Sequence, residues 1–366
     1  MVIATDGKTN MAGKHKADSL VTLFGEKAFE YAANGRIDIE VWKRAQGAIL
    51  VNASPNLTSQ VAKLTSVSRV FPETSKRLRS SLRALRLHQW LKNLLVFVPL
   101  LAAHLVQDLG LLTEATIAFV AYSLTASSTY ILNDLLDLPA DRAHPRKRFR
   151  PFAAGDISIV QGWIFLLSLL AAALGLALLL PVNFIWLLGG YCLITLAYSV
   201  WIKKWVVLDI ITLAGLYSFR ILTGAAATGI QPSFWLLAFS MFIFLSLALV
   251  KRYSELFIML QSGKEQARGR AYHVEDLPLL ESLGTASGYM AVLVLAMYIN
   301  STDVTRLYSQ PRWLWLLCLS LLYWISRVWL KTHRGEMHDD PLVFALQDRA
   351  SQLMIVLGVC LLYLAL

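Results

Sequence analysis

Charge is scarce in this chain. Charged residues make up 16% of its 366 residues, while hydrophobic residues reach 56%; soluble domains carry about 25% charged. That balance excludes an ordinary soluble globular enzyme and reads as a polytopic membrane protein. Cysteine is scarce too: Cys192, Cys318 and Cys360 each sit inside an apolar run, with no C-x-x-C pair, so neither a disulfide framework nor a zinc site is indicated. The start, MVIATDGKTN, has no basic segment leading into an apolar core, so no secretory signal is read there and the first apolar span directs insertion. The apolar runs lack the alternation of barrel strands, which leaves transmembrane helices. The formal charge is +10, but the bases cluster between apolar runs and not along one soluble face, so they mark membrane topology rather than a nucleic-acid surface.

Nine apolar segments are read, at 93–109, 114–136, 159–180, 184–202, 207–228, 232–250, 286–300, 312–331 and 348–366, the seventh and last being short. A cytoplasmic N-terminus puts Arg142, Arg146, Lys147, Arg148, Arg150, Lys203, Lys204, Lys251, Arg252, Lys264, Arg268, Arg270 and Arg334 on the inner side, against Arg306 and Arg312 outside. This follows the positive-inside rule and leaves the C-terminus outside. The long loop at 251–285 is expected to cap the inner face.

The chemistry concentrates in NDLLDLPADRAHPRKRFRPFAAG, residues 133–155. Asp134, Asp137 and Asp141 stand at i, i+3 and i+7, with Asn133 four before Asp137, so a continuing helix would align them on one face. Pro139 bends or ends that helix. Crowded carboxylates at a membrane surface repel one another, and a divalent cation resolves the repulsion. Oxygen-only ligands suit Mg²⁺, which completes its shell with water and substrate phosphate. Arg146, Lys147, Arg148 and Arg150 suit the same phosphate, arginine as a fork and lysine as a point charge. Acid and base at one spot therefore describe a Mg²⁺–diphosphate site.

N-D-x-x-D-x-x-x-D at the inner end of the second span resembles the first aspartate-rich motif of the UbiA superfamily of intramembrane prenyltransferases, over residues 86–366. The resemblance implies an all-α fold of about nine transmembrane helices around a central cavity, Mg²⁺ as cofactor, and a metal role for Asn133, Asp134, Asp137 and Asp141. QWLKN (89–93), DRAHPRKRFRPFAAG (141–155), YSVWIKKWVVLDI (198–210), SFRILTGA (218–225) and KRYSEL (251–256) are similar to the decaprenyl-phosphate phosphoribosyltransferase-like branch. That branch implies transfer of phosphoribosyl from phosphoribosyl diphosphate to a polyprenyl phosphate, in a bacterial plasma membrane with the active site cytoplasmic.

The second acidic motif is thin. Asp209 has no second carboxylate three or four residues away, only Tyr198, Lys203 and Arg220 within helical reach; it reads either as a catalytic carboxylate or as an interfacial charge at a helix start. Arg220 lies within the fifth span, where a charge is costly and faces the interior. Lys92 and Asn93 open the first span and either approach the phosphate or snorkel. Lys251 and Arg252 leave the sixth span on the active side, with Arg252 and Glu255 able to pair locally. His88, His144 and His273 are lone and read as interfacial.

Residues 1–75 form a separate, soluble-looking region of short α/β pieces: SLVTLFG, a polar turn YAANGRID, then VWKRAQGAILVNAS. GKHKADSL with YAANGRIDIEVW resembles the second half of a haloacid-dehalogenase-like domain. The resemblance makes Lys14 or Lys16 the phosphate-contacting lysine, with Asn34 and Asp38 as the acidic-pair positions. That chemistry needs a nucleophilic Asp in D-x-D, a pattern absent from the chain, so the region reads as a remnant without activity. The sequence thus points first to a Mg²⁺-dependent transferase whose partners are a polyprenyl lipid and a diphosphate-bearing donor. Prenyl transfer to an aromatic acceptor stands second, and a transporter or inactive membrane protein represents the other class.

Overall fold

In the computed structural model, residues 5, 10–71, 77–144, 147–261, 272–337 and 341–366 are described, the side chains of 77–79, 303, 305, 306, 342 and 346 excepted. The chain divides into two compact units, Met1–Ser80 and Ser81–Leu366.

The first unit runs α1 (Gly13–Phe24), β1 (Glu30–Ala33), α2 (Ile39–Arg44), β2 (Gly47–Val51), α3 (Pro55–Ala62) and β3 (Ser66–Phe71). Its sheet is three-stranded and parallel in the order β1-β2-β3. The central strand GAILV buries one face, where Ala48 and Leu50 pack with Trp42, Leu57 and Val61, and half-buries Ile49 and Val51 on the other. The stretch expected as a polar turn from Tyr31 begins instead inside β1. Tyr31 packs its ring edge-on against Trp42 at 6.4 Å, and the Trp42 indole N–H donates to the Tyr31 carbonyl. Lys16 meets Asp38 at 3.1 Å and the Tyr31 hydroxyl at 3.1 Å, while Lys14 and Asn34 are exposed. The Tyr31 hydroxyl, and after it Asp38, raises the Lys16 pKa above the usual lysine value against the opposing effect of burial.

The second unit is all-α. It comprises the part of α4 (Arg77–Leu85) from Ser81 on, a 3-10 segment Leu87–Phe97 leading into α5 (Val98–Ala102), α6 (Leu109–Leu136), α7 (Leu138–Ala143), α8 (Ile159–Ala177), α9 (Val182–Val200), α10 (Leu208–Thr228), α11 (Phe234–Gln261), α12 (Leu277–Ile299), α13 (Thr302–Leu307), α14 (Leu314–His333), α15 (Pro341–Gln347) and α16 (Arg349–Ala365). Among the described residues seven helices are long and apolar enough to cross a membrane; the shorter apolar stretches Leu87–Ala102 and Arg349–Ala365 correspond to the first and last segments of the sequence reading. The molecule is an integral membrane protein.

The first of these stretches starts at Leu87, six residues before the expected 93. Eleven 3-10 residues rising about 2.0 Å each and five α residues rising about 1.5 Å each give roughly 30 Å, the thickness of a hydrocarbon core. Sixteen residues thus reach as far as twenty ordinary helical ones. The stretch lies tight against α10: a Cβ on Gly224 would fall 1.9 Å from the Val96 carbonyl oxygen, so only glycine admits this approach.

The expected inner loop at 251–285 is largely helix. α11 continues to Gln261, and α12 opens at Leu277 with Pro278 in its first turn, where the missing N–H costs nothing. Residues 262–271, with Lys264, Arg268 and Arg270 of the expected cap, lie outside the described residues. α10 is the most enclosed span, with 56% of its apolar window buried against 17% for α8 and α9. Charges carried by α10 are therefore interior charges.

Candidate functional site

α6 delivers Asp134 at its last turn and ends at Asp137; Pro139 then starts the separate short helix α7, which delivers Asp141. An apolar cluster of Ala84, Ile131, Leu138, Phe152, Ile157 and Leu166 holds this corner. Gly162 of α8 lets the Phe152 ring close in, since a Cβ there would sit 2.7 Å from it.

The break falls at Asp137 and sets that aspartate apart from the other two. Asp134 and Asp141 are both buried at 2% exposure and converge on one guanidinium nitrogen. Arg150 Nη1 donates to Asp134 Oδ1 at 3.0 Å and to Asp141 Oδ2 at 2.7 Å. Asp137 is about half exposed and stands apart, with Lys203 Nζ at 3.8 Å. The single face expected from i, i+3, i+7 spacing does not form: Asp137 sits at the break itself, with φ −88° and ψ 6°, and the other two carboxylates remain together. Asn133 is half-buried on the preceding turn.

A further arginine, absent from the sequence reading, completes the cluster. Arg86 donates to Asp134 Oδ1 at 2.6 Å and lies over the Tyr130 ring at 5.1 Å. Its backbone is left-handed, at φ 51°, where the chain turns into the 3-10 segment. Ser127 fixes that turn by donating to the Leu85 carbonyl while accepting from the Trp90 indole. Lys147 and Arg148 are exposed, Arg148 lying over the Phe149 ring at 4.9 Å. Arg146 lies outside the described residues.

A second polar group lies deeper. Lys92 and Asn93 are buried, not snorkelling. Asn93 donates to Ser123 Oγ at 2.9 Å and accepts from Arg220 Nε at 2.9 Å. Arg220 faces the interior, its guanidinium within 6 Å of the Tyr122, Tyr191 and Tyr217 rings, and Lys92 lies over the same Tyr217 ring. The Tyr122 hydroxyl is buried without a hydrogen-bond partner among the described residues.

The third group surrounds Asp209, which is fully buried. Neither Lys203 nor Arg220, expected from helical reach, is its partner: Lys203 faces Asp137 and Arg220 holds Asn93. Its partners are Arg252 Nη2 at 2.5 Å on Oδ2 and the Tyr272 hydroxyl at 2.7 Å on Oδ1. Arg252 also pairs with Glu255 one turn on and with the Tyr198 side chain. Lys251 beside it is half-buried. Burial, then the Asp209 hydrogen bond, pushes the Tyr272 phenol above the usual tyrosine range. Tyr272 had no signal in the sequence, because 63 residues separate it from Asp209.

Among the described residues no three His, Cys, Asp or Glu side chains form a ready metal cluster. Asp134 and Asp141 nonetheless fit a hard cation. They are buried oxygen donors already drawn to one positive point, and the arginine at that point is 29% exposed and can leave it.

Comparison with known proteins agrees with this architecture. The profile of the UbiA prenyltransferase family matches residues 94–347. An uncharacterized protein of Sinorhizobium fredii is 38% identical over 349 residues, which cover 95% of this chain and 67% of that protein. The decaprenyl-phosphate phosphoribosyltransferase of Mycolicibacterium smegmatis is 32% identical over 285 residues, 75% of this chain and 88% of that protein. Among solved structures, a UbiA homolog from Archaeoglobus fulgidus bound to GPP and Mg²⁺ superposes with a TM-score of 0.57 at 16% identity, covering 78% of this chain and 99% of that one. At that identity the likeness is one of fold.

Proposed function

Because the chain belongs to the UbiA prenyltransferase family and is a membrane-embedded transferase of that superfamily, we propose that it transfers phosphoribosyl from phosphoribosyl diphosphate to a polyprenyl phosphate, with Mg²⁺. The observation that carries this reading is the joining of Asp134 and Asp141 through Arg150 inside an arginine-rich corner. A relative named for phosphoribosyl transfer supports the choice of donor. The corner faces the cytoplasm, where a water-soluble donor is available, and the basic loops support that orientation.

Asp134 and Asp141, with Asn133 and Asp137 on adjoining turns, would hold the cation. When bound, Mg²⁺ neutralises the donor's diphosphate and stabilises the charge that grows on it as it departs. Arg150 and Arg86 release the carboxylates and turn to phosphate oxygens, and Lys147 and Arg148 extend the same positive field to the donor. Lys92, Asn93 and Arg220 orient the acceptor within the membrane. An oxygen of the lipid phosphate attacks the anomeric carbon, the bond from that carbon to diphosphate breaks, and diphosphate leaves with the electron pair. The chain's contribution is positioning and charge stabilisation, which carry most phosphate-leaving chemistry.

The first unit is a haloacid-dehalogenase-like remnant in this reading. Its three parallel strands and the Lys16–Asp38 pair support the likeness, and the missing D-x-D leaves it without a nucleophile. The deciding assay offers purified protein in lipid labelled phosphoribosyl diphosphate with polyprenyl phosphate and, in parallel, labelled allylic diphosphates with aromatic acceptors, each with and without Mg²⁺. Label entering lipid only from phosphoribosyl diphosphate is expected. Label entering only from the allylic donor would overturn the proposal.

A further inference from the structure

Three carboxylates of the helical unit are buried among the described residues: Asp134, Asp141 and Asp209. We propose that Asp209 is a positioning residue and takes no metal: Arg252 and Tyr272 occupy its carboxylate, and the three together hold a strained turn at Val207 that sets Lys203 opposite Asp137. The protein then binds one divalent cation, at the Asp134–Asp141 pair, an inference that rests on the cation proposed there.

The two acidic centres differ in whether their counter-charge can leave. Arg150 spans its two carboxylates with a single nitrogen and its side chain is 29% exposed, so solvent or a phosphate can receive it. The Arg252 side chain is 1% exposed and the Asp209 side chain 0%. A cation arriving at Asp209 must expel a guanidinium that has nowhere wet to go, or bind beside it against their mutual repulsion. The other oxygen is closed as well, because the Tyr272 hydroxyl donates to Oδ1.

What this closed group does is visible in the backbone beside it. Val207 has φ 67° and ψ −47°, a region that a β-branched residue enters only under constraint. The Leu208 N–H closes the turn on the Val206 carbonyl at 2.8 Å. The Val207 N–H donates to the Tyr272 hydroxyl at 2.7 Å, and that hydroxyl in turn donates to Asp209 Oδ1. Arg252 fixes Asp209, Asp209 fixes Tyr272, and Tyr272 fixes the turn; such strain persists only where its surroundings impose it. Immediately before the turn lies Lys203, with its ammonium 3.8 Å from Asp137, one helical turn from Asp134. The chain of contacts therefore runs from α11 to the edge of the cation pair.

The test counts bound Mn²⁺, added alone, on full-length protein in lipid discs by the loss of its free electron-paramagnetic signal. One Mn²⁺ per chain is expected in the wild type and in Asp209→Asn, and none in Asp134→Asn. Two in the wild type, or loss of the ion in a folded Asp209→Asn, overturns the inference while leaving the Asp134 pole standing. No ion in the wild type, or one retained in Asp134→Asn, removes both the inference and the cation reading beneath it. If Asp209→Asn fails to fold, the wild-type count still decides. For the positioning role, Tyr272→Phe keeps one Mn²⁺ but speeds amide hydrogen exchange at 205–209 by about tenfold or more, as expected when a local opening is eased. Unchanged exchange in that variant overturns it, whereas a metal-holding centre would change the count instead.

Discussion

Arg86 reaches Asp134 across 48 residues of sequence, its Nη2 2.6 Å from Oδ1. The contact ties the turn ahead of the first apolar stretch to the last turn of α6. Removing the arginine leaves the buried carboxylate with Arg150 alone. Arg86→Ala is expected to cost about 1–3 kcal/mol of stability, the lower half of that range applying because the Arg86 side chain is 23% exposed. Thermal unfolding in detergent measures it, and an unchanged midpoint would show the pair to be incidental.

Asp134→Asn and Asp141→Asn each remove one oxygen charge from the pair. Turnover should fall by about two orders of magnitude or more, the scale on which metal sites respond to the loss of a supporting group. Both proteins should remain folded, since each amide can still accept from Arg150. Initial rates at saturating Mg²⁺, read beside the thermal midpoint, separate lost chemistry from lost structure. Full activity in either variant would sink the assignment.

Exchanging Lys147 and Arg148 together for glutamine should weaken binding of phosphoribosyl diphosphate by about two decades, each charge-assisted contact contributing roughly 1.5 kcal/mol or more. Both side chains are exposed, so the lower end of the range applies and folding is spared. Donor titration at fixed lipid and Mg²⁺ provides the check. Topological anchors alone would change insertion yield and leave donor affinity intact.

Tyr272 must keep its proton to donate to Asp209. Its folded pKa is raised above that of the unfolded chain, near 10 for tyrosine, so the stabilisation is complete below about pH 10 and disappears only as pH rises through the higher folded value. In ultraviolet titration, the difference between wild type and Tyr272→Phe should therefore show no phenolate step near pH 10. A step there would mean that the hydroxyl is not held as described.

Deleting residues 1–75 removes the three-stranded unit and stops before α4. Transferase activity per inserted molecule should stay within about twofold, because no nucleophile is lost. A collapse of activity in correctly inserted protein would give that unit a role in the reaction.

The apolar spans and the inner acidic run were legible because hydropathy and carboxylate spacing are local signals. The partners were not. Arg86, Arg252 and Tyr272 lie 48, 43 and 63 residues from the carboxylates they hold, and Arg86 resembles any interfacial anchor. The start of α12 was hidden in LPLLESLGT, where Pro278, Glu281 and Gly284 read as loop. Pro278 in fact occupies the first turn, and Gly284 faces Trp329 so closely that a Cβ would lie 2.0 Å from the ring. Asp137 was misplaced with its neighbours because the helix ends at Asp137 itself, two residues ahead of Pro139. Sequence periodicity runs on through a break that the folded chain makes at Asp137.

The stretch Leu87–Ala102 is mostly 3-10 helix, whose poorer hydrogen bonds need support from outside the segment. That support, the seat at Gly224, lies 128 residues downstream of Val96. During synthesis the ribosome therefore releases the first membrane segment well before the surface that holds it exists. Its seat is complete only after α10 has been made, so Lys92 and Asn93 reach their places late, and a chain stalled before Gly224 carries this segment without a template.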